Sequence, residues 1–235
     1  MKDGCEVKIC GITNIEDALS AAREGADYLG VVVEVSYSPR SLTVEGAREI
    51  FSRTPLPAVA LVYQMSPERI KYLVNSLHPH ALQFLNLAPE TITWCKKEFT
   101  ELECWQSLHL PPAGEGLDRE NVLAQIKAGC EAGADVIVLD TAAVVGGTQR
   151  YGGTGRTSDW QLVRELGVAC TVPLFLAGGI NPANVQAAIK VVNPEGIDLC
   201  SGVEAQPGKK SPDKIRALMQ AVRETIREAT SERNG

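Results

Sequence analysis

The sequence predicts a single (β/α)8 TIM barrel, in which eight parallel strands alternate with helices around one core. Three observations predict this fold. Short apolar, β-branched segments alternate with amphipathic segments along the whole chain, and eight such alternations can be distinguished. The length of 235 residues is close to the roughly 250 residues of one complete barrel. Because no linker or change of composition divides the chain, we expect one domain over residues 1–235.

The elements follow in order along the chain. The predicted strands lie at residues 6–12, 28–33, 58–63, 81–85, 102–108, 136–141, 173–177 and 197–201. A helix is expected after each, and four prolines stand where a first-turn proline is tolerated: Pro67, Pro89, Pro182 and Pro212. Three of them follow candidate N-cap residues: Ser66, Asn181 and Ser211. The polar end from about residue 225 is expected to fray.

Two segments, residues 22–27 and 130–135, end in the same Gly-Ala-Asp sequence just before a predicted strand. Gly25 and Gly133 stand where a helix ends in a left-handed residue. A flavodoxin-like or Rossmann sheet also alternates strands and helices, but it usually has fewer strands and a glycine-rich turn after the first one. The repeated unit, and glycine-rich turns that come late in the chain instead of after the first strand, therefore favour the barrel.

Composition restricts the class of protein. The chain is 44% hydrophobic and 22% charged, and no apolar run reaches the roughly 18 residues that a membrane span needs. The start of the sequence does not resemble a secretory or transit peptide. Seven cysteines are scattered without a C-x-x-C pair, and the net charge is -6. These features predict a cytoplasmic protein with reduced thiols that binds neither membranes nor nucleic acid, and they leave a small anionic ligand open.

Two long loops, residues 110–118 and 142–158, follow predicted strands. They are expected on the face of the barrel that carries enzyme sites. The sequence leaves open whether either loop closes as a lid.

Glycine turns follow the last two predicted strands: Gly178 with Gly179, and Ser201 with Gly202. Glycine lets backbone N–H groups approach a phosphate closely, and these loops of such barrels frequently bind one. The alternative is that the glycines only turn the chain. Two such turns at adjacent strands favour a phosphate site.

Lys8 and Cys10 alternate along the first strand and so point to the same, interior face. A thiol at Cys10 could act as a base, but its ordinary pKa of about 8.5 leaves little thiolate at neutral pH. A neighbouring cation is needed, for which Lys8 is the candidate. The alternative is that Cys10 is a small buried hydrophobe.

Two further charged residues are expected at the same mouth. Asp140 ends an apolar strand, where partial burial would raise its pKa and suit a general acid, although an N-cap role is equally open. Arg40 could bind a carboxylate through two hydrogen bonds. The histidines and tryptophans show no ligand spacing and are expected in packing or on the surface: His78, His80, His109, Trp94, Trp105 and Trp160.

Together these segments resemble the phosphoribosylanthranilate isomerase family, in the same order and spacing. The matching stretches are VKICGIT at 7–13, SPR at 38–40, LDT at 139–141, YGGTGRTSDW at 151–160, LAGGINP at 176–182 and GIDLCSGVE at 196–204. The resemblance implies the Amadori rearrangement of a phosphorylated aminosugar, without metal or cofactor.

The resemblance also implies roles. Asp140 would protonate the ring oxygen, and Cys10 would remove the C2 proton. Arg40 would hold the anthranilate carboxylate, and the two glycine loops the 5′-phosphate. The resemblance adds three further substrate-binding residues: Lys8 and Asp198 in the matching stretches, and Gln83 in the strand-four segment just before the positions that depart from the family.

The chain departs from the family pattern in a few places. Leu85 and Asn86 stand where the family has histidine and glycine, Cys200 replaces a serine, and residues 34–37 are unusual. Two alternatives therefore stay open: a paralogous barrel that acts on another phosphorylated sugar or aminosugar, and a non-catalytic protein that binds a phosphate ligand. The sequence does not predict an oligomeric state.

Overall fold

The strands of the barrel form one closed parallel sheet. The computed structural model describes residues 4–145, 148–151 and 156–234. In chain order the strands are β1 (Glu6–Ile9), β2 (Tyr28–Val32), β3 (Ala58–Val62), β4 (Ala81–Phe84), β5 (Glu103–Leu110), β6 (Val136–Val145), β7 (Thr148–Tyr151), β8 (Leu174–Ala177), β9 (Gly196–Leu199), β10 (Glu204–Gln206) and β11 (Lys209–Lys210). The barrel follows the order β5-β4-β3-β2-β1-β9-β8-β6, and parallel pairing of β5 with β6 closes it. The predicted (β/α)8 barrel is confirmed.

Two short antiparallel pairs lie outside the barrel sheet. Strand β7 pairs with the end of β6, and β10 pairs with β11. The helices are α1 (Ile15–Glu24), α2 (Val44–Arg53), α3 (Pro67–Leu77), α4 (Pro89–Glu98), α5 (Arg119–Glu131), α6 (Trp160–Gly167), α7 (Val185–Val192) and α8 (Pro212–Asn234). None of these helices, within the residues described, is long and apolar enough to cross a membrane.

Side-chain caps fix several helix starts. An oxygen of each cap accepts an N–H of the first turn, which no helical carbonyl can reach; these caps are Asn14, Thr43, Ser66, Asp118 and Asp159. The starts predicted at Pro67, Pro89 and Pro212 are confirmed. The start at Pro182 is wrong, because α7 begins at Val185.

The turn before α7 explains that difference. Asn181 accepts the Ala183 N–H at 2.9 Å, and Asn184 in turn accepts the Asn181 N–H at 2.8 Å. These side-chain bonds stabilise a separate turn, which delays the helix.

Helix α8 continues to Asn234, past residue 225, from which fraying is predicted. Thr225 is fully buried and its hydroxyl donates to the Ala221 carbonyl. Ala229 is buried as well. One face of α8 therefore packs against the barrel beyond residue 225.

The repeated Gly-Ala-Asp segments make the same contacts twice. Gly25 and Gly133 have φ values of 90° and 94°, as predicted for left-handed helix ends. Asp27 then accepts the N–H of Val7 on β1 at 2.8 Å, and Asp135 accepts the N–H of Cys104 on β5 at 2.7 Å. Each aspartate thus ties the start of a strand to its preceding neighbour, which accounts for the repeat.

The core has two layers, one between the helices and the strands and one inside the barrel. Trp105 is the largest fully buried side chain, and its ring packs against Tyr28 and Phe175 at centroid distances of 5.1 and 5.0 Å. These aromatic rings fill the lower interior of the barrel. The polar side chains of the barrel interior lie above these rings, towards the carboxyl ends of the strands.

Candidate active site

A pocket opens at the carboxyl ends of the barrel strands. Apart from Lys8, the residues predicted for the site all line it: Cys10, Arg40, Gln83, Asp140, Gly178, Gly179, Asp198, Ser201 and Gly202. Strands of a parallel barrel bring their carboxyl ends to one face, so residues far apart in sequence meet there. Within the described residues, no group of three or more His, Cys, Asp or Glu side chains is arranged to hold a metal ion.

Lys8 and Asp198 form an ion pair beneath the pocket. The two residues are register partners on β1 and β9, and Lys8 Nζ lies 2.8 Å from Asp198 Oδ2. Lys8 is fully buried, which lowers the pKa of its amine, but the charge of Asp198 and the hydrogen bond to it raise that pKa above its ordinary value overall. The amine therefore stays an ammonium group. Asp198 lines the pocket, and its buried Oδ1 has no hydrogen-bond partner among the described residues.

Cys10 lies beside Cys200 at the ends of the same two strands, where the Cys10 N–H donates to the Leu199 carbonyl at 2.7 Å. A hydrogen bond with Cys200 and burial raise the pKa of Cys10 well above its usual range, although Lys8 lowers it. The hydrogen bond from Cys10 and the cations Lys210 and Arg40 lower the pKa of Cys200 to about 7.

The thiolate of this pair is therefore favoured on Cys200, which the sequence interpretation had treated as a mild replacement for serine. Lys8, the predicted cationic neighbour of Cys10, lies close to it. Both Cys10 Sγ and Lys8 Nζ are within 3 Å of the position that a Cβ on Gly30 would take. The signal for Cys200 was its position immediately after a barrel strand, level with Cys10.

Asp140 reaches the pocket from the middle of β6 instead of from its end, because β6 continues to Val145. Its Oδ1 accepts the N–H of Thr141 at 2.7 Å. The side chain is 18% exposed. Burial and the nearby charge of Asp198 raise the pKa of Asp140 to about 7, which is the direction expected for a general acid.

Arg40 lines the pocket but is held by Glu204. Arg40 Nε and Nη2 donate to the two Glu204 oxygens at 2.7 and 2.6 Å. Fully buried Lys210 donates to Glu204 Oε1 at 3.1 Å. Burial raises the pKa of Glu204, but Arg40 and Lys210 lower it more, so the carboxyl is ionised. Arg40 Nη1 has no acceptor among the residues that the structure describes.

The glycine turns bring two loops into close contact. Gly178 and Gly179 have φ values of 87° and 67°, which favour glycine. A Cβ at Gly202 would overlap the Ile180 carbonyl oxygen, and a Cβ at Gly178 would overlap the Thr141 side chain. There is therefore no room for a side chain at Gly178 or Gly202, and the backbone lines the pocket at these positions.

Strand β4 contributes Gln83 and leads into Leu85. Gln83 Nε2 donates to Ser107 Oγ at 2.9 Å, whereas its Oε1 has no hydrogen-bond partner in the described part of the chain. The Leu85 side chain lines the pocket, and its carbonyl accepts a hydrogen bond from His109 Nε2 at 2.8 Å. The sequence interpretation had placed His109 among packing or surface residues. Its position at the end of β5 was the available signal.

The two long loops contact each other at the rim of the barrel. Ala113 N donates to the Thr157 carbonyl at 2.9 Å, and Glu115 pairs with Arg156 at 2.9 Å. The second loop contains the β6–β7 hairpin, and its residues 146–147 and 152–155 lie outside the described residues.

Comparison with known proteins identifies relatives along almost the whole chain. Residues 7–221 match the family model for N-(5'phosphoribosyl)anthranilate (PRA) isomerase. A relative of that name from Methanocella arvoryzae is 38% identical over 223 residues, covering 93% of this chain and 98% of the relative. One from Pseudomonas fluorescens is 38% identical over 225 residues, covering 92% and 97%.

Solved structures agree with this assignment. Phosphoribosyl anthranilate isomerase from Thermotoga maritima is 32% identical, with a TM-score of 0.76 over 94% of this chain and 99% of that one. A phosphoribosyl anthranilate isomerase in complex with reduced 1-(o-carboxyphenylamino)-1-deoxyribulose 5-phosphate is 31% identical, with a TM-score of 0.74 and the same coverage. The matched sequence, the shared barrel and the pocket at its carboxyl face agree, and the chain belongs to the phosphoribosylanthranilate isomerase family.

Proposed function

We propose that this chain catalyses the Amadori rearrangement of N-(5′-phosphoribosyl)anthranilate to 1-(2-carboxyphenylamino)-1-deoxyribulose 5-phosphate, a step of tryptophan biosynthesis. The observation that carries the proposal is that the Cys10 thiol and the Asp140 carboxyl line one pocket. An aldose-to-ketose rearrangement needs one proton donor and one proton acceptor around the same sugar.

Asp140 is the general acid in this proposal. Opening the furanose ring requires a proton on the ring oxygen, and the bond from that oxygen to C1 then breaks to give an iminium ion. With a pKa of about 7, the buried carboxyl retains its proton for a substantial part of the time at neutral pH, unlike an ordinary aspartate. That property suits it to donate the proton.

Cys10 is the base, assisted by Cys200. The iminium ion makes the C2 proton acidic, and a thiolate at Cys10 removes it to give the enolamine, which tautomerises to the ketone. Because the thiolate is favoured on Cys200, Cys10 first passes its own proton to Cys200. The Lys8 ammonium beside Cys10 stabilises the thiolate that results.

Anion-binding groups would hold the two ends of the substrate. The loops of Gly178, Gly179, Ser201 and Gly202 suit the 5′-phosphate, because backbone lines the pocket there. Arg40, oriented by Glu204, would bind the anthranilate carboxylate through Nη1. Holding both ends places the sugar between acid and base.

Two buried acceptors suit the sugar hydroxyls. Gln83 Oε1 and Asp198 Oδ1 both lack partners among the described residues, and both residues line the pocket. An unpaired buried oxygen is costly, and a hydroxyl donor from the substrate would remove that cost. A polyol ligand is therefore favoured over an apolar one.

The testing experiment is a fluorescence assay with freshly made phosphoribosylanthranilate, coupled to an excess of indole-glycerol-phosphate synthase. Wild-type protein should consume the fluorescent substrate. Cys10→Ala and Asp140→Asn should each lose roughly 10²- to 10⁴-fold in kcat, while Cys170→Ala, whose thiol lies outside the pocket, should retain full activity. Near-normal turnover of either variant would remove its residue from the mechanism.

A second candidate, a barrel that acts on another phosphorylated sugar or aminosugar, is favoured by Leu85 in the pocket, where the family has histidine. Absence of turnover, together with calorimetric binding of a phosphate ester, would favour this candidate.

We propose a cytoplasmic location and a small phosphorylated molecule as the partner. The seven cysteines are all free, which supports a reducing compartment.

A further inference from the structure

His109 and Asp140 face each other across neighbouring strands. They are register partners on β5 and β6, so their side chains leave the sheet on the same side. His109 Nδ1 lies 3.9 Å from Asp140 Oδ2, and the two side chains are only 12% and 18% exposed. This separation exceeds a hydrogen bond but is short enough for a small side-chain rotation to close.

The partner of the other ring nitrogen fixes the tautomer of His109. Nε2 lies 2.8 Å from the Leu85 carbonyl oxygen, and because a carbonyl can only accept, Nε2 carries the hydrogen. Burial lowers the pKa of His109, more than its bond to Leu85 raises it. The ring is therefore neutral at neutral pH, and Nδ1 presents a lone pair towards Asp140.

The hydrogen bond that Asp140 accepts places its proton on Oδ2, the oxygen nearer to His109 Nδ1. Oδ1 accepts the Thr141 N–H, so Oδ2 is the favoured position for the proton of the neutral acid. Of the other charged groups that act on this carboxyl, Asp198 and Cys200 favour the protonated form and Lys8 opposes it.

We infer that His109 is a positioning residue, whose Nδ1 accepts the Oδ2 proton of Asp140 and holds the acid in its protonated form. The role rests on the proposed function only in that Asp140 is the general acid there. The backbone at Leu85, where the family has histidine, serves here to orient an imidazole that comes from the next strand. A hydrogen bond to the neutral form raises a carboxyl pKa, so His109 extends the pH range in which Asp140 can donate.

Two variants separate the ring nitrogens. His109→Gln keeps an N–H at the Nε2 position for the Leu85 carbonyl but has no acceptor at the Nδ1 position. His109→Asn places its amide at the Nδ1 position, where the oxygen can accept the Asp140 proton. His78→Gln, at the exposed end of α3, is the matched control.

The measurement is the titration of the Asp140 carboxyl by carbon-13 NMR, with Asp140→Asn to assign the signal. We expect the midpoint to fall by about one pH unit in His109→Gln and to stay near the wild-type value in His109→Asn and His78→Gln. The alkaline limb of kcat should move to lower pH in parallel. An unchanged or raised midpoint in His109→Gln overturns the inference. Because the titration needs no turnover, its result is independent of whether phosphoribosylanthranilate proves to be the substrate.

Discussion

Arg40 and Glu204 form a two-point ion pair at the wall of the pocket, with N···O distances of 2.7 and 2.6 Å and only 13% and 4% of the side chains exposed. Glu204 also accepts from the buried Lys210. This arrangement fixes the plane of the guanidinium group and leaves Nη1 to meet a ligand. It makes Glu204 a second determinant of carboxylate binding.

Glu204→Gln should therefore weaken substrate binding. The amide keeps one acceptor but loses the charge that pairs with Arg40, and it leaves Lys210 buried without a carboxylate. We expect KM to rise about 10-fold, equivalent to about 1.4 kcal/mol, and the free energy of unfolding to fall by about 3 kcal/mol. Steady-state kinetics and urea unfolding measure the two effects.

The control is Glu34→Gln, because Glu34 makes the same two-point pair with Arg69 and neither residue lines the pocket. Arg69 is 39% exposed, so this change should cost much less stability than Glu204→Gln. Equal losses in both variants, with KM unchanged, would contradict the role of Glu204.

Lys8→Met should destabilise the fold, because it leaves Asp198 charged and unpaired beneath the pocket. Removal of one partner of a buried pair costs about 3–5 kcal/mol, whereas Lys71→Met, which breaks an exposed pair with Glu98, should cost about 0–1 kcal/mol. Urea unfolding compares the two. A double variant with Asp198→Asn should regain part of the loss, and failure to do so would mean that Lys8 contributes mainly through packing.

Cys200→Ser tests which thiol of the pair ionises first. Because the pKa of Cys200 is lowered to about 7, the wild type should show a step in thiolate absorbance near that pH. The serine hydroxyl does not ionise in this range, so the step should move to a higher pH and the acidic limb of kcat/KM should move with it. A step near pH 7 that persists in the variant would assign the ionisation to a different cysteine.

The sequence predicts the barrel and most of the pocket, because each strand is a short apolar run and parallel strands bring their carboxyl ends together. Their strand positions place Cys10 and Asp140 at the pocket, whereas their proposed roles as base and acid come from the family resemblance. The partners of these residues could not be predicted, because they depend on contacts between distant segments that sequence spacing does not reveal. Glu204 reaches Arg40 through the hairpin of β10 and β11, and His109 reaches Asp140 only through the register of β5 with β6.

Asp140 gives a prediction about stability, because its pKa is raised from 3.8 to about 7 in the folded protein. Between these pH values the folded protein keeps a proton that the unfolded chain releases. The unfolded state therefore binds fewer protons, and stability falls as pH rises through this window. A shift of this size corresponds to a loss of up to about 4 kcal/mol.

Asp140→Asn removes the ionisable group and with it this part of the pH dependence. The variant should lose catalysis at every pH, yet its free energy of unfolding should exceed that of the wild type at pH 8 and approach it at pH 4. Urea unfolding at both pH values measures the difference. A constant difference across the two would mean that the folded carboxyl ionises at an ordinary pKa, and a residue in that state would be a poor proton donor at neutral pH. The stability measurement thus tests the acid independently of the rate.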